Sequence, residues 1–124
     1  MTPASEATAL AALEHMEQEP ERIAHLWKLT HYASEAFKAA GFDTGPSETP
    51  IIPLLIRDDF KALKMTRILL DRGVFVNPVI SPAVPKGSSL IRFSLMATHS
   101  FEQVDEAVDK VSGVAGELGI FDAV

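Results

Sequence analysis

Cysteine is absent from the 124 residues, which removes disulfides, thiolate metal sites and cysteine nucleophiles together. That composition fits a reducing compartment, and a cytoplasmic location is expected. Cations are scarce. Eleven Lys and Arg face seventeen Asp and Glu, for a formal charge of −6, so no nucleic-acid partner is expected, because displacing phosphate counterions takes a basic face. Long apolar runs are missing as well: the best, Ile51 to Ile56, is interrupted by Pro53 and falls far short of the roughly 18 residues of a membrane span. Residues 1–21 hold five glutamates and no Lys or Arg, the opposite of the cationic start of a secretory signal.

What is present suits one domain, residues 1–124, with 47% apolar residues for a core of ordinary size. Thr2 and Pro3 read as N-cap and first helical position, and Ala4 to Gln18 is rich in helix formers. Pro20 opens a second helix whose apolar positions Ile23, Leu26, Trp27, Thr30, Ala33, Phe37 and Ala40 predict one buried stripe, with Gly41 as its stop. Asp43 to Ser47 has turn chemistry and is expected to be exposed. The continuous apolar run Thr49–Ile56 predicts a strand covered on both faces, placed at a sheet edge because prolines cannot donate to a ladder.

Asp58 or Asp59 caps a third helix running to Leu70 and ended by Gly73. Val74 to Val76 then predicts a second strand, Asn77 to Gly87 an extended proline-rich loop, and Ser89 to Met96 a third strand. Ser100 and Gln103 have capping-box spacing, and Val104, Ala107, Val108, Val111, Val114, Ala115 and Leu118 trace the buried face of a final helix. The order α-α-β-α-β-β-α predicts an α+β fold, a small, mostly antiparallel three-stranded sheet with helices packed on one face.

Few of these residues suggest chemistry. The histidines His15, His25, His31 and His99 lack the spaced partners a zinc centre needs, so no metal is expected. Asp58 with Asp59 is better placed for capping, and Asp105 with Asp109 lies on a solvated helix face, whereas a catalytic carboxylate pair must be desolvated. No nucleophile elbow, P-loop or dinucleotide motif occurs, and Gly113, Gly116 and Gly119 form only a small-residue helix edge. Arg92 stands apart. It interrupts Leu90-Ile91-Arg92-Phe93-Ser94-Leu95-Met96, and a guanidinium there needs either a salt bridge to a local acid or an open cleft with an anionic ligand. A carboxylate suits its planar fork.

Residues 74–100, VFVNPVISPAVPKGSSLIRFSLMATHS, together with the helix segment TALAALE at 8–14, Thr49-Pro50-Ile51-Ile52-Pro53 and the capped final helix, resemble the C-terminal domain of the α-oxoamine synthases. These are pyridoxal-phosphate enzymes of aminotransferase fold type I. Leu90 to His99 is most similar to bacterial serine palmitoyltransferases, and 2-amino-3-ketobutyrate CoA ligase and 8-amino-7-oxononanoate synthase belong to the same group. The resemblance implies a C-acyltransferase condensing an amino acid (Ser, Gly or Ala) with an acyl-CoA, with loss of CO2 in most members, and a homodimer when full length. It implies that Arg92 holds the amino acid's carboxylate and that Ser81, Pro82, Ala83, Val84 and Pro85 form the loop beside the active-site mouth. A second arginine that some serine palmitoyltransferases carry before that loop is Ile80 here.

Family members hold their Schiff-base lysine in a large domain with no counterpart in this sequence. Lys28, Lys38, Lys61, Lys64, Lys86 and Lys110 all read as solvated, whereas Schiff-base chemistry demands a desolvated amine. The expectation is therefore a substrate-clamping domain that binds no pyridoxal phosphate and catalyses nothing alone. The alternative is a stand-alone α+β module that binds a carboxylate or dimerises through its exposed sheet edges.

Overall fold

A computed structural model describes residues 1–122. Helix α1 (Pro3–Gln18) starts where expected: Thr2 Oγ1 accepts the Ser5 amide at 3.3 Å, and Pro3 opens the first turn, yet none of its residues is buried. Three further helices, α2 (Glu21–Ala39), α3 (Asp59–Asp71) and α4 (Phe101–Glu117), lie with strands β1 (Ile51–Leu55), β2 (Asn77–Val79) and β3 (Leu90–Ser94) in the expected α+β order. All seven apolar positions expected of α4 are buried or half-buried. The Ser100–Gln103 capping box is closed in both directions, at 3.2 and 2.9 Å.

The sheet has strand order β1-β3-β2 and is antiparallel throughout. Helices cover one face only. Ile52, Leu54, Ile91 and Phe93 enter the core against Leu29, Ala33, Phe37, Met65, Leu69 and the valines of α4, while Ile51, Arg92 and Ser94 are exposed on the other side. Two-sided burial of β1 is therefore corrected to alternation, because no helix packs outside it. Its edge position is as expected, and the reason is visible. Leu55 N–H points away from β3 to donate to the Asp43 carbonyl at 3.0 Å, so Pro53, two residues earlier, has its missing donor on that same outward side.

Three other expectations change. The second strand is Asn77–Val79, not Val74–Val76: Gly73, at φ 89°, turns the chain back so that the Val74 amide donates to the Leu69 carbonyl at 2.8 Å. Val74 and Val76 are thus buried beside α3 without joining the ladder. In α2, Ile23 and Trp27 are exposed and Leu29 is buried in their stead, because a 19-residue helix of about 28 Å outruns strands of about 17 Å, and only its second half meets the sheet. Thr44, placed by its turn chemistry at the surface, is buried. A final 3-10 turn, Ile120–Asp122, inserts Ile120 beneath α4.

Phe37 anchors this core, in edge-on contact with Phe42 and Phe93 at 5.7 and 4.9 Å between centroids. Phe37→Ala is expected to lower stability by about 3–5 kcal/mol. Trp27→Ala, on the half of α2 that leaves the sheet, should cost about 1 kcal/mol or less, with urea denaturation as the measure.

Candidate functional site

Strand alternation places Arg92. With Ile91 and Phe93 turned into the core, its side chain must leave on the uncovered face, between Pro53 of β1 and Asn77 of β2, its partners in register. Of the two sequence alternatives, the salt bridge is not formed: among the described residues no carboxylate lies within 4.0 Å of the guanidinium, and the ion pairs all lie elsewhere. Arg92 lines a cavity of about 460 Å³ together with Phe75, Asn77, Ser94, His99 and Glu106. That cavity opens because residues 74–76 follow α3 rather than β3, leaving a gap beside the sheet.

His99 is held on three sides. Its Nδ1 accepts the Met96 amide at 3.0 Å, its own amide donates to the Met96 carbonyl at 3.1 Å, and its carbonyl accepts Nε2–H of His25 at 3.0 Å. An Nδ1 that accepts a backbone N–H leaves the neutral ring's proton on Nε2. Across the cavity Glu106 is held below the usual carboxylate range by the Lys110 ammonium, which donates to it at 2.7 Å. In the sequence Asn77 is only the first residue of the proline-rich loop, and His99 only one of four histidines that lack the partners a metal needs. Asn77 carried no signal beyond its place in a proline-rich stretch, and His99 could have been found only by pairing it with the turn that ends β3.

The structure does not bring Ser81–Pro85 into the Arg92 cavity. Those residues form a surface turn in which the Ala83 amide donates to the Ile80 carbonyl at 2.9 Å, with Pro82, Ala83 and Pro85 exposed and Ile80 packed against the core. The remaining histidines are dispersed: His15 pairs with Glu19 on exposed α1, and His31 lies beside Trp27. No cluster of metal-ligating side chains occurs among the described residues. Asp58 caps α3 by accepting the Lys61 amide at 2.8 Å, and Asp105 accepts the Tyr32 hydroxyl rather than facing Asp109. None of the six lysines is buried, and Lys110, one of the two half-buried ones, donates to Glu106 and to the Arg72 carbonyl. None offers the desolvated amine that an aldimine with pyridoxal phosphate requires, so this donor set does not fit as the cofactor's anchor.

A three-stranded antiparallel sheet with helices on one face and an unpaired cation on the other defines a small α+β domain. The chain belongs to the aminotransferase class I and II family, which matches residues 1–111. It is similar to a serine palmitoyltransferase of Sphingobacterium spiritivorum, 58% identical over 111 residues that make up 90% of this chain and 28% of that protein. An 8-amino-7-oxononanoate synthase of Symbiobacterium thermophilum is 44% identical over 95% of this chain and 30% of its own length. A high-resolution structure of SPT with the PLP internal aldimine superimposes with a TM-score of 0.85 at 29% identity, over 92% of this chain and 29% of that one. The α-oxoamine synthase resemblance holds, and the chain spans less than a third of the relatives it matches.

Tyr32 is the chain's single tyrosine, so its titration can be read directly by ultraviolet absorbance. Its phenol is raised above the ordinary value of 10.0, first by the hydrogen bond to Asp105. A phenol raised in the folded state favours folding below its unfolded value, and that contribution disappears as pH climbs through the folded one. Asp105→Ala is expected to bring the titration back toward the ordinary value.

Proposed function

We propose that this chain is the substrate-clamping C-terminal domain of a pyridoxal-phosphate-dependent α-oxoamine synthase, in which Arg92 holds the carboxylate of the amino-acid substrate. The observation that carries this is the unpaired guanidinium of Arg92, set by strand alternation on the uncovered sheet face beside the cavity. A guanidinium with no protein anion keeps its fork free for a bidentate carboxylate. The neighbours in register, Pro53 and Asn77, bring no charge of their own to compete for it.

The intact enzyme would condense Ser, Gly or Ala with an acyl-CoA, as a homodimer in the cytoplasm. The electron-sink chemistry is the cofactor's, and no lysine of this chain is placed to anchor it. This chain's share is binding and orientation: Arg92 fixes the carboxylate, and the wall built from β3 and α4 excludes water from one side. Ser81–Pro85 would border the mouth once the larger domain is in place. With Ile80 ahead of it, half-buried against the core, no second arginine swings in from that loop. Support for a clamp rather than a stand-alone module comes from α1, whose sixteen residues bury nothing against this chain and so are free to pack on polypeptide outside it.

Supplied with a large domain of the family that carries the cofactor lysine, Arg92→Met should raise the KM for the amino acid roughly tenfold to a hundredfold, the range of a lost charged hydrogen-bonding partner. The KM for acyl-CoA should stay within about twofold. An unchanged amino-acid KM would overturn the assignment. Mixed with pyridoxal phosphate alone, the chain should give no aldimine absorbance and no borohydride-fixed adduct at any of its six lysines, read by mass spectrometry.

A further inference from the structure

The cavity that Arg92 lines is larger than a small amino acid needs. At about 460 Å³ it falls in the range that encloses drug-sized molecules, and Ser, Gly or Ala leaves most of it unfilled. Its polar and apolar parts are separated along the chain. Asn77 and Arg92 are partners in the last rung of the β2–β3 ladder, and the two segments diverge from there. Two residues before Asn77 comes Phe75, 75% exposed, and four beyond Arg92 comes Met96, 58% exposed, so both lie farther out along the gap. Val76, Leu95 and Val104, all nearly buried, line it too and give it an apolar floor.

Only one charge at this site goes unanswered. The charged residues that line the cavity are Arg92 and Glu106. Glu106 already accepts the Lys110 ammonium at 2.7 Å, while among the described residues no carboxylate lies within 4.0 Å of the Arg92 guanidinium. A single free positive charge next to an apolar floor is complementary to a single negative head on an apolar tail.

We infer that the cavity takes a medium-chain fatty acid, its carboxylate on Arg92 and its alkyl chain running out over Val76 and Val104 between Phe75 and Met96. The inference rests on the reading of Arg92 as a carboxylate anchor and adds a regulator to it: a fatty acid seated there excludes the amino acid, so the two compete. The tail contributes by leaving water, which tightens binding roughly fourfold for each methylene covered.

Titration of the purified chain with butyrate, octanoate and octanol, followed by amide chemical shifts, tests this. Octanoate should bind at least about tenfold more tightly than butyrate, which shares its head, and than octanol, which shares its tail. Phe75→Ser, at an exposed position, and Ala107→Phe, which narrows the cavity from α4, should each weaken octanoate roughly tenfold and leave butyrate within about twofold, with circular dichroism confirming that each variant is folded. Arg92→Met should lower octanoate to the level of octanol. Octanoate no tighter than butyrate, with both lost in Arg92→Met, would overturn the fatty-acid site and leave the carboxylate anchor standing. Octanoate and octanol binding alike and indifferent to Arg92→Met would overturn the anchor as well. No octanoate binding, or binding unmoved by both Phe75→Ser and Ala107→Phe, would also end the fatty-acid assignment.

Discussion

Helices cover one face of a three-stranded sheet, and most of what this domain presents follows from that imbalance. A strand alternates sides with every residue, so one-sided cover forces half of β3 outward whatever its chemistry. Ile91 and Phe93 satisfy the inner side. Arg92, between them, has only the open face available, where it stays hydrated along part of its length and meets no carboxylate among the described residues. Burying an unpaired guanidinium would be prohibitive. Placing it at the border of a cavity keeps it charged, fixed at its root by the ladder and available at its tip.

The cavity itself comes from a local competition won by a helix. Residues 74–76 have strand-like alternation, with Val74 and Val76 inward and Phe75 outward, but the left-handed turn at Gly73 and the bond from Val74 to Leu69 bind them to α3 first. Pairing with β3 resumes only at Asn77, opposite Arg92. The gap therefore begins where the ladder ends, and Arg92 is its last paired neighbour. Loop positions that depend on such a competition carry more of the ligand-facing surface than the regular elements do.

Helix α4 could be read from its pattern and its cap because both signals are local, spaced within one or two turns. The one-sidedness of β1 could not: a run such as Ile51-Ile52-Pro53-Leu54-Leu55 is apolar at every position, and only the location of the helices decides which side is wet. The displaced strand β2 was hidden for a similar reason, since Pro78 argues against a strand unless the strand is known to lie at an edge. Trp27 and Leu29 exchanged roles because periodicity reports a face and not how far along a helix the core extends. Arg92 was legible as an anomaly of charge in an apolar stretch. Asn77 and His99 were not, because their nearness to it exists only after the chain has turned back at Gly73 and again after Met96.

The isolation of α1 has a thermodynamic corollary. A sixteen-residue helix that contributes nothing to the core is sustained by its alanines, its Thr2 cap and its internal pairs alone, near the lower limit for a helix standing free in water. Its unfolding is then uncoupled from that of the packed body, and the chain ceases to be a single cooperative unit. Helical signal should begin to fade at temperatures where the aromatic cluster around Phe37 is still rigid, so the enthalpy inferred from ellipticity and the enthalpy measured as heat will disagree.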